Sequence, residues 1–232
     1  MRRIIFAAFC LFLVFRQADA GALVEIYKVK GKAYYLGVKT KIGDKKWQTI
    51  FSGTVLRGNE RIKTMADSQC IMLVNPNTVI CVLAESDLQI LDYGRRVMLE
   101  DGGMYASVVA AQDRKSFAVK TAEIVCEMSG GAFGIFLSGG ETVAEVYKGS
   151  LRVKGLLLSD EQDVAEGLFC IADEFGNMSD PEKIKSEDLE NYSKWQDFAE
   201  LYVSELERAE NRKMRAEEER RSAPRRQNGI PE

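Results

Sequence analysis

The chain has 232 residues, a formal charge of −3 and no histidine. The missing imidazole excludes Ser-His-Asp and Cys-His catalysis and every histidine-bearing zinc site. The mild acidity excludes the clustered basic surface that a nucleic-acid partner requires.

Met1, Arg2 and Arg3 make a positive start, and Ile4 to Phe15 is an unbroken apolar run of twelve residues. Ala18-Asp19-Ala20 then places small residues at the −3 and −1 positions of a cleavage site. Residues 1–20 therefore predict a signal peptide, with the mature chain beginning at Gly21. The run falls short of the roughly 20 residues that span a bilayer as a helix. A retained membrane anchor is the competing reading, while Phe9 before Cys10 removes a lipoprotein site. Removing Arg2, Arg3, Arg16 and Asp19, a net +2, takes the charge from −3 to −5. The expectation is an exported protein of the periplasm or cell surface, with no integral membrane segment after cleavage.

From Ala22 to Ala172, short runs rich in Val, Ile, Leu, Tyr and Phe are broken by Gly, Asn and Asp, the pattern of strands joined by tight turns. Strands are expected at Leu23–Val29, Lys32–Val38, Trp47–Phe51, Glu60–Thr64 and Gln69–Val74. They continue at Thr78–Leu83, Asp87–Leu91, Val97–Leu99, Met104–Val109 and Ser116–Lys120. The last are Ile124–Met128, Phe133–Leu137, Thr142–Tyr147, Ser150–Val153 and Gly167–Ile171. So many short strands, with no long helix among them, imply an all-β sandwich, barrel or solenoid-like roll.

Gly31, Gly53, Gly58, Gly102 and Gly149 stand at strand ends, where turns need positive φ. Gly130, Gly131 and Gly134 lack the G-x-G-x-x-G spacing and a following helix, so they are not a phosphate loop. Thr64 and Thr121 are expected to bond backbone at strand edges, and Trp47 to lie in the core. Adjacent Tyr34 and Tyr35 point to opposite faces, leaving one ring exposed.

Four cysteines survive cleavage, Cys70, Cys81, Cys126 and Cys170, and none forms a C-x-x-C pair. No metal or cofactor is expected. Export permits disulfides, but the pairing stays open. The turn Asn75-Pro76-Asn77-Thr78 sets Asn75 opposite Thr78, Met72 opposite Cys81 and Cys70 opposite Leu83. All four of Cys70, Met72, Cys81 and Leu83 would then face inward. The two cysteines become diagonal neighbours at roughly 7 Å, at the limit of a disulfide, and are read as small buried apolar residues.

After Asp180 the composition turns charged and helix-favouring. Ser179-Asp180-Pro181 reads as a cap with proline at the first helical position, and a longer helix is expected after Ser186. Leu189, Tyr192, Trp195, Ala199, Tyr202, Leu206 and Ala209 recur every three or four residues as one apolar stripe. Such a stripe needs a surface. It is either the chain's own β body, with Tyr192 and Trp195 capping an open sheet end, or a partner met in a short coiled-coil-like contact. Tyr192, Trp195, Tyr202 and Leu206 are the candidate partner-binding residues. Residues 177–222 form the helical extension and 223–232 a disordered tail carrying part of a small Arg cluster.

These residues resemble the FecR domain. Trp47, Gly53, Leu56, Gly58 and Ile62-Lys63-Thr64 are similar to its "W…G…L…GD.I.T" segment. Ser68-Gln69-Cys70 with Met72 and Val74 is similar to its "S.A.L.L" hairpin, and Phe117 to Thr121 to its "F.V.T" step. Gly130, Phe133-Gly134-Ile135, Thr142, Val146, Gly149, Leu151 and Val153 follow its closing pattern. Asn59 replaces the family's Asp, and Ser129-Gly130-Gly131 its "RGT". The resemblance implies a single sandwich or solenoid-like domain over residues 21–176, followed by the amphipathic helix. Relay proteins of the family carry a cytoplasmic segment and a transmembrane helix before this domain. Here only a leader precedes it, so sigma-factor control is not expected to carry over directly.

Function is thus read as non-catalytic: a binding or signalling module working by protein–protein contact in the cell envelope. The alternative is a module that binds surface polysaccharide or peptidoglycan. Asp101, Glu141, Glu145 and Asp160 could pair in space as a glycosidase would require, but scattered surface charge accounts for them more simply.

Overall fold

The computed structural model describes residues 24–37, 46–56, 59–75, 77–110, 116–157 and 160–196. The expected leader, Gly58, Tyr202, Leu206 and the tail at 223–232 lie outside the described residues.

Seventeen strands occur among the described residues. The chain begins with β1 (Val24–Lys30), β2 (Ala33–Leu36), β3 (Gln48–Thr49), β4 (Val55–Leu56), β5 (Arg61–Thr64) and β6 (Gln69–Asn75). It continues with β7 (Thr78–Val82), β8 (Asp87–Leu91), β9 (Arg96–Asp101), β10 (Gly103–Val108), β11 (Phe117–Lys120) and β12 (Ile124–Met128). The last are β13 (Gly131–Ser138), β14 (Glu141–Gly155), β15 (Glu161–Ala165), β16 (Leu168–Ala172) and β17 (Glu182–Lys183). One half-sheet runs β4-β1-β6-β7-β10-β13-β14-β16-β17. The other runs β3-β2-β5-β8-β9-β11-β12-β14-β15. Of the pairings between these strands, only β9 with β11 is parallel.

Alternation builds the core. Ile26, Met72, Met104 and Phe133 from the first half-sheet meet Ile62, Leu88, Val119 and Cys126 from the second in one fully buried cluster. The all-β expectation holds. Every expected strand has a counterpart, and β4, β15 and β17 are additions.

Two expected strands, Thr142–Tyr147 and Ser150–Val153, are in fact one. The fifteen-residue β14 belongs to both half-sheets and bends at Gly149, where φ is +86°. Before the bend Thr142, Ala144 and Val146 face the core, and after it Leu151 and Val153 do. Just before the bend, a bulge at Tyr147, which the pairing with β13 skips between Val146 and Lys148, shifts the side-chain parity, so one strand serves both layers. Gly149 is therefore a hinge within a strand and not a turn between two.

The β6–β7 hairpin corrects a second expectation. Asn75 does sit opposite Thr78, but the register slips between Leu73 and Asn75, pairing Met72 with Ile80 and Cys70 with Val82. The extra residue is Val74, which is buried in the core. A slip of one residue reverses the face of everything beyond it. Cys70 and Met72 face inward as expected, whereas Cys81 and Leu83 belong to the outer face. The four cysteines among the described residues, Cys70, Cys81, Cys126 and Cys170, are buried free thiols.

A small corner is built twice, eighteen residues apart. In Ala66-Asp67-Ser68 and Ala84-Glu85-Ser86 the middle residue takes φ of +56° and +53°. Each serine hydroxyl donates to the alanine carbonyl at 3.1 Å. Each also accepts a backbone N–H, from Lys32 at 2.8 Å or Gly103 at 2.9 Å. A Cβ on the preceding Gly31 or Gly102 would come within 2.3 Å of that serine oxygen. The threonine expectation also holds: Thr64 Oγ1 accepts the Ser86 N–H at 3.0 Å, and Thr121 Oγ1 that of Ile124 at 3.1 Å.

Ser179 is no helix cap. It closes onto β16, its amide donating to the Ile171 carbonyl at 2.8 Å and its oxygen accepting the Ile171 N–H at 3.0 Å. Pro181 is followed by β17, and helix begins at residue 186. A chain already paired to a strand cannot start a helix there.

Candidate functional site

The outer face of the first half-sheet carries the most distinctive arrangement in the described residues. Strand pairing sets Lys28, Ile71, Cys81, Tyr105, Gly134, Glu145 and Phe169 in one row across seven strands. Gly134 leaves a gap in that row. A Cβ there would lie 2.7 Å from the Phe136 ring and 3.2 Å from that of Tyr105. Gly103 does the same one row away, at 2.8 Å from Phe136. The two glycines let the Phe136 ring settle onto the sheet, edge-on to Tyr105 at 5.5 Å.

Onto this face the described helix, 186–196, lays Tyr192 and Trp195. The indole stacks on Tyr105 with centroids 5.4 Å apart, and Tyr192 stacks on Tyr147 at 3.8 Å. Trp195 is 6% exposed, and with Ile184 it joins Ile71, Val79, Cys81 and Tyr105 in a second buried cluster. Such aromatic contacts add about 0.5–1.5 kcal/mol each beyond the area they bury.

Glu145 lies beneath the helix, 6% exposed, and accepts the Tyr147 hydroxyl. Burial pushes its carboxyl above the ordinary value, partly opposed by that hydrogen bond. Burial and the bond to Glu145 push the Tyr147 phenol up. Burial, with the Glu145 charge, pushes Tyr105 up to about 12. Burial pushes the Cys81 thiol up to about 12 as well. The two phenols and the Cys81 thiol therefore hold their protons at neutral pH. Trp195 Nε1 is buried without a hydrogen-bond partner.

Beside the helix runs a groove of about 1120 Å³. One wall is the helix with the residue that precedes it: Lys185, Asp188, Asn191 and Lys194 recur every third residue along it. Leu83, Phe136, Val143 and Ile171 make an apolar floor, and Lys28 and Lys30 of β1 stand among the residues lining it.

Of the candidate partner-binding residues, Tyr192 and Trp195 rest on the chain's own sheet, on its face and not at an open end. Tyr202 and Leu206 are outside the described residues. Leu189 leaves the expected stripe and is 44% exposed. Trp47 is not in the core: it is 40% exposed, with the Lys63 ammonium 5.4 Å from its ring centre. Both Tyr34 and Tyr35 are half-buried; Tyr35 packs against the core and its hydroxyl donates to Gln48 Oε1 at 2.7 Å. Of the four carboxylates singled out, Glu145 lies in this site, Asp101 bonds the Gly102 amide at 2.9 Å, and Glu141 and Asp160 are exposed.

Tyr105, Phe136 and Tyr147 were not foreseen as a site. The available signal was that β7 and β10 are apolar on both faces, buried at every position. A sheet with one solvated face alternates, and a continuous run means cover on both sides.

On the opposite surface, Asp87 is nearly buried and takes Arg61 through two hydrogen bonds at 2.5 and 2.7 Å and Lys63 at 2.8 Å. Arg61 also pairs with Glu100. Burial raises the Asp87 carboxyl, but the two cations outweigh it and hold the group below its ordinary range. Among the described residues no cluster of three or more metal-ligating side chains occurs, and no helix is long and apolar enough to cross a membrane.

Residues 60–152 match the family described as FecR protein, from the start of β5 into β14. No curated protein matches the chain. Two crystal structures of a candidate anti-sigma factor from Parabacteroides distasonis ATCC 8503, at 1.65 and 2.50 Å resolution, are similar to it. They are 14% and 15% identical, each with a TM-score of 0.47, and the alignments cover 57% and 59% of this chain. The chain spans 63% of that protein's length in both.

Proposed function

From a chain that carries a FecR domain over residues 60–152, we propose a non-catalytic regulatory module, exported to the periplasm or cell envelope, that acts by contact with another protein. The carrying observation is the groove beside the helix, where an apolar floor is exposed along one side of an otherwise covered sheet face. Interfaces take this form, with an apolar centre and a polar rim. The titratable groups within it favour binding over chemistry, since burial holds the Cys81 and Tyr105 protons at neutral pH.

The test is cross-linking in cells, followed by purification of the adduct. One specific protein attached at groove residues supports the reading. Retention of the purified chain on isolated cell wall, without any protein adduct, replaces it with the polysaccharide or peptidoglycan alternative. Mass spectrometry of the mature chain decides export: an N-terminus at Gly21 supports it, and a retained Met1 defeats it.

A further inference from the structure

We infer that the groove beside the helix receives an acidic, amphipathic peptide segment of the partner protein; the inference rests on the protein-contact reading above. Size argues first. A space of about 1120 Å³ exceeds the roughly 300–1,000 Å³ typical of small-molecule sites. Its lining residues come from seven strands and the helix, so an elongated occupant fits it.

Charge argues second. Four lysines line the groove, Lys28, Lys30, Lys185 and Lys194, against two carboxylates, Glu145 and Asp188. Glu145 accepts the Tyr147 hydroxyl beneath the helix, and Lys194 also pairs with Glu190 at 3.7 Å. The lining is thus net positive on a chain whose formal charge is −3. The lysines also come from two places. Lys185 and Lys194 stand on the helical wall, whereas Lys28 and Lys30 lie on β1, which is separated from β10 by β6 and β7. Apolar Leu83, Phe136, Val143 and Ile171 lie between. A bound segment therefore presents leucine-, isoleucine- or phenylalanine-type anchors to the floor and carboxylates to both lysine pairs. The lysines steer and select, and the floor supplies the anchors.

The experiment selects phage-displayed random peptides of about a dozen residues on the full mature chain. Expected winners carry Asp or Glu around apolar anchors. A synthetic winner then loses about tenfold in affinity against the double variant Lys28→Glu, Lys30→Glu. Its binding to the unaltered chain falls as salt rises. A peptide with its carboxylates exchanged for lysines regains affinity for the double variant. Winners without acidic enrichment, or equal affinity for both proteins, overturn the inference. A p-benzoylphenylalanine in place of Ser138, at the groove, identifies the occupant directly. Attachment to the acidic peptide supports the inference, and attachment to residues 197–232 of the same chain overturns it. If cellular cross-linking captures a partner at another surface, the groove assignment falls while the regulatory reading stands. If no partner is captured but acidic peptides bind here with the stated charge dependence, the reverse holds.

Discussion

The phenol rings of Tyr147 and Tyr192 lie 3.8 Å apart, with planes 5° from parallel. Tyr147 belongs to β14 and Tyr192 to the described helix, so this stack, with Trp195 on Tyr105, joins the C-terminal element to the sheet. Trp195→Ala removes the most buried of these helix side chains. The expected loss is about 2–3 kcal/mol, at or just below the roughly 3–5 kcal/mol of buried aromatic-to-alanine changes because the site lies under one helix and not in a closed core. In a chain of this size that lowers the thermal midpoint by about 4–10 °C. An unchanged midpoint would show that the helix contributes nothing to stability.

The same burial predicts a spectrum. The chain has two tryptophans, Trp47 at 40% exposure and Trp195 at 6%. In a Trp47→Phe variant the remaining emission should be blue-shifted and poorly quenched by iodide. Red-shifted, fully quenched emission would mean that the helix does not dock.

Asp87 predicts an acid sensitivity. Its carboxyl is held below the ordinary range because Arg61 and Lys63 outweigh its burial. A depressed carboxylate contributes stability above the unfolded value of about 3.9, lost as pH falls through the folded value. Asp87→Asn should lower stability by about 1–2 kcal/mol at neutral pH, moderated because both cations are partly exposed. The gap between the denaturant midpoints of variant and parent should begin to close below about pH 4 and vanish only below the lowered folded value. A gap that persists undiminished at low pH would exclude the ion pairs as its source.

Glu145 behaves with the opposite sign. Burial raises its carboxyl, so folding favours the neutral acid. That contribution is fully present below the unfolded value of about 4.3 and disappears as pH rises through the raised folded one. Glu145→Gln stays neutral and still accepts the Tyr147 hydroxyl. It should hold its low-pH stability into the neutral range, and melting curves across pH would show the flattening. A steeper fall with pH in the variant would contradict the assignment.

The hairpin slip makes a chemical prediction. Cys70 and Cys81 lie on opposite faces of the sheet, and burial with the Cys70 charge pushes the Cys81 thiol up to about 12. Native alkylation at pH 8 should be slow at Cys70, Cys81, Cys126 and Cys170, and rapid after denaturation. A peptide pair joined by Cys70–Cys81 would refute the register.

Strands were legible wherever one face is wet, because Val24, Ile26 and Leu88 alternate or cluster in patterns that local sequence carries. The slip at Val74 was not legible. Asn75 and Thr78 fix the turn, but only the core decides that Val74 is the extra residue. The groove was less accessible still. Ile71, Tyr105, Glu145 and Phe169 share one row, although about a hundred positions separate the first from the last. Strand order over that distance is a tertiary fact. Trp47 was expected in the core, but the two-residue β3 that follows it leaves its ring 40% exposed beside the Lys63 ammonium.

Because β14 crosses between the layers at Gly149 without interruption, neither half-sheet can open by itself. Peeling β13 from one end of β14 loosens the strand that holds β12 and β15 at the other. Amide protons of Ala144 and Val153, on opposite sides of the bend, should therefore exchange with solvent through the same opening event and share one free energy. The consequence is rigidity: a load on the outer face is shared by both half-sheets through β14, whereas the helix is held only by the contacts of its own side chains.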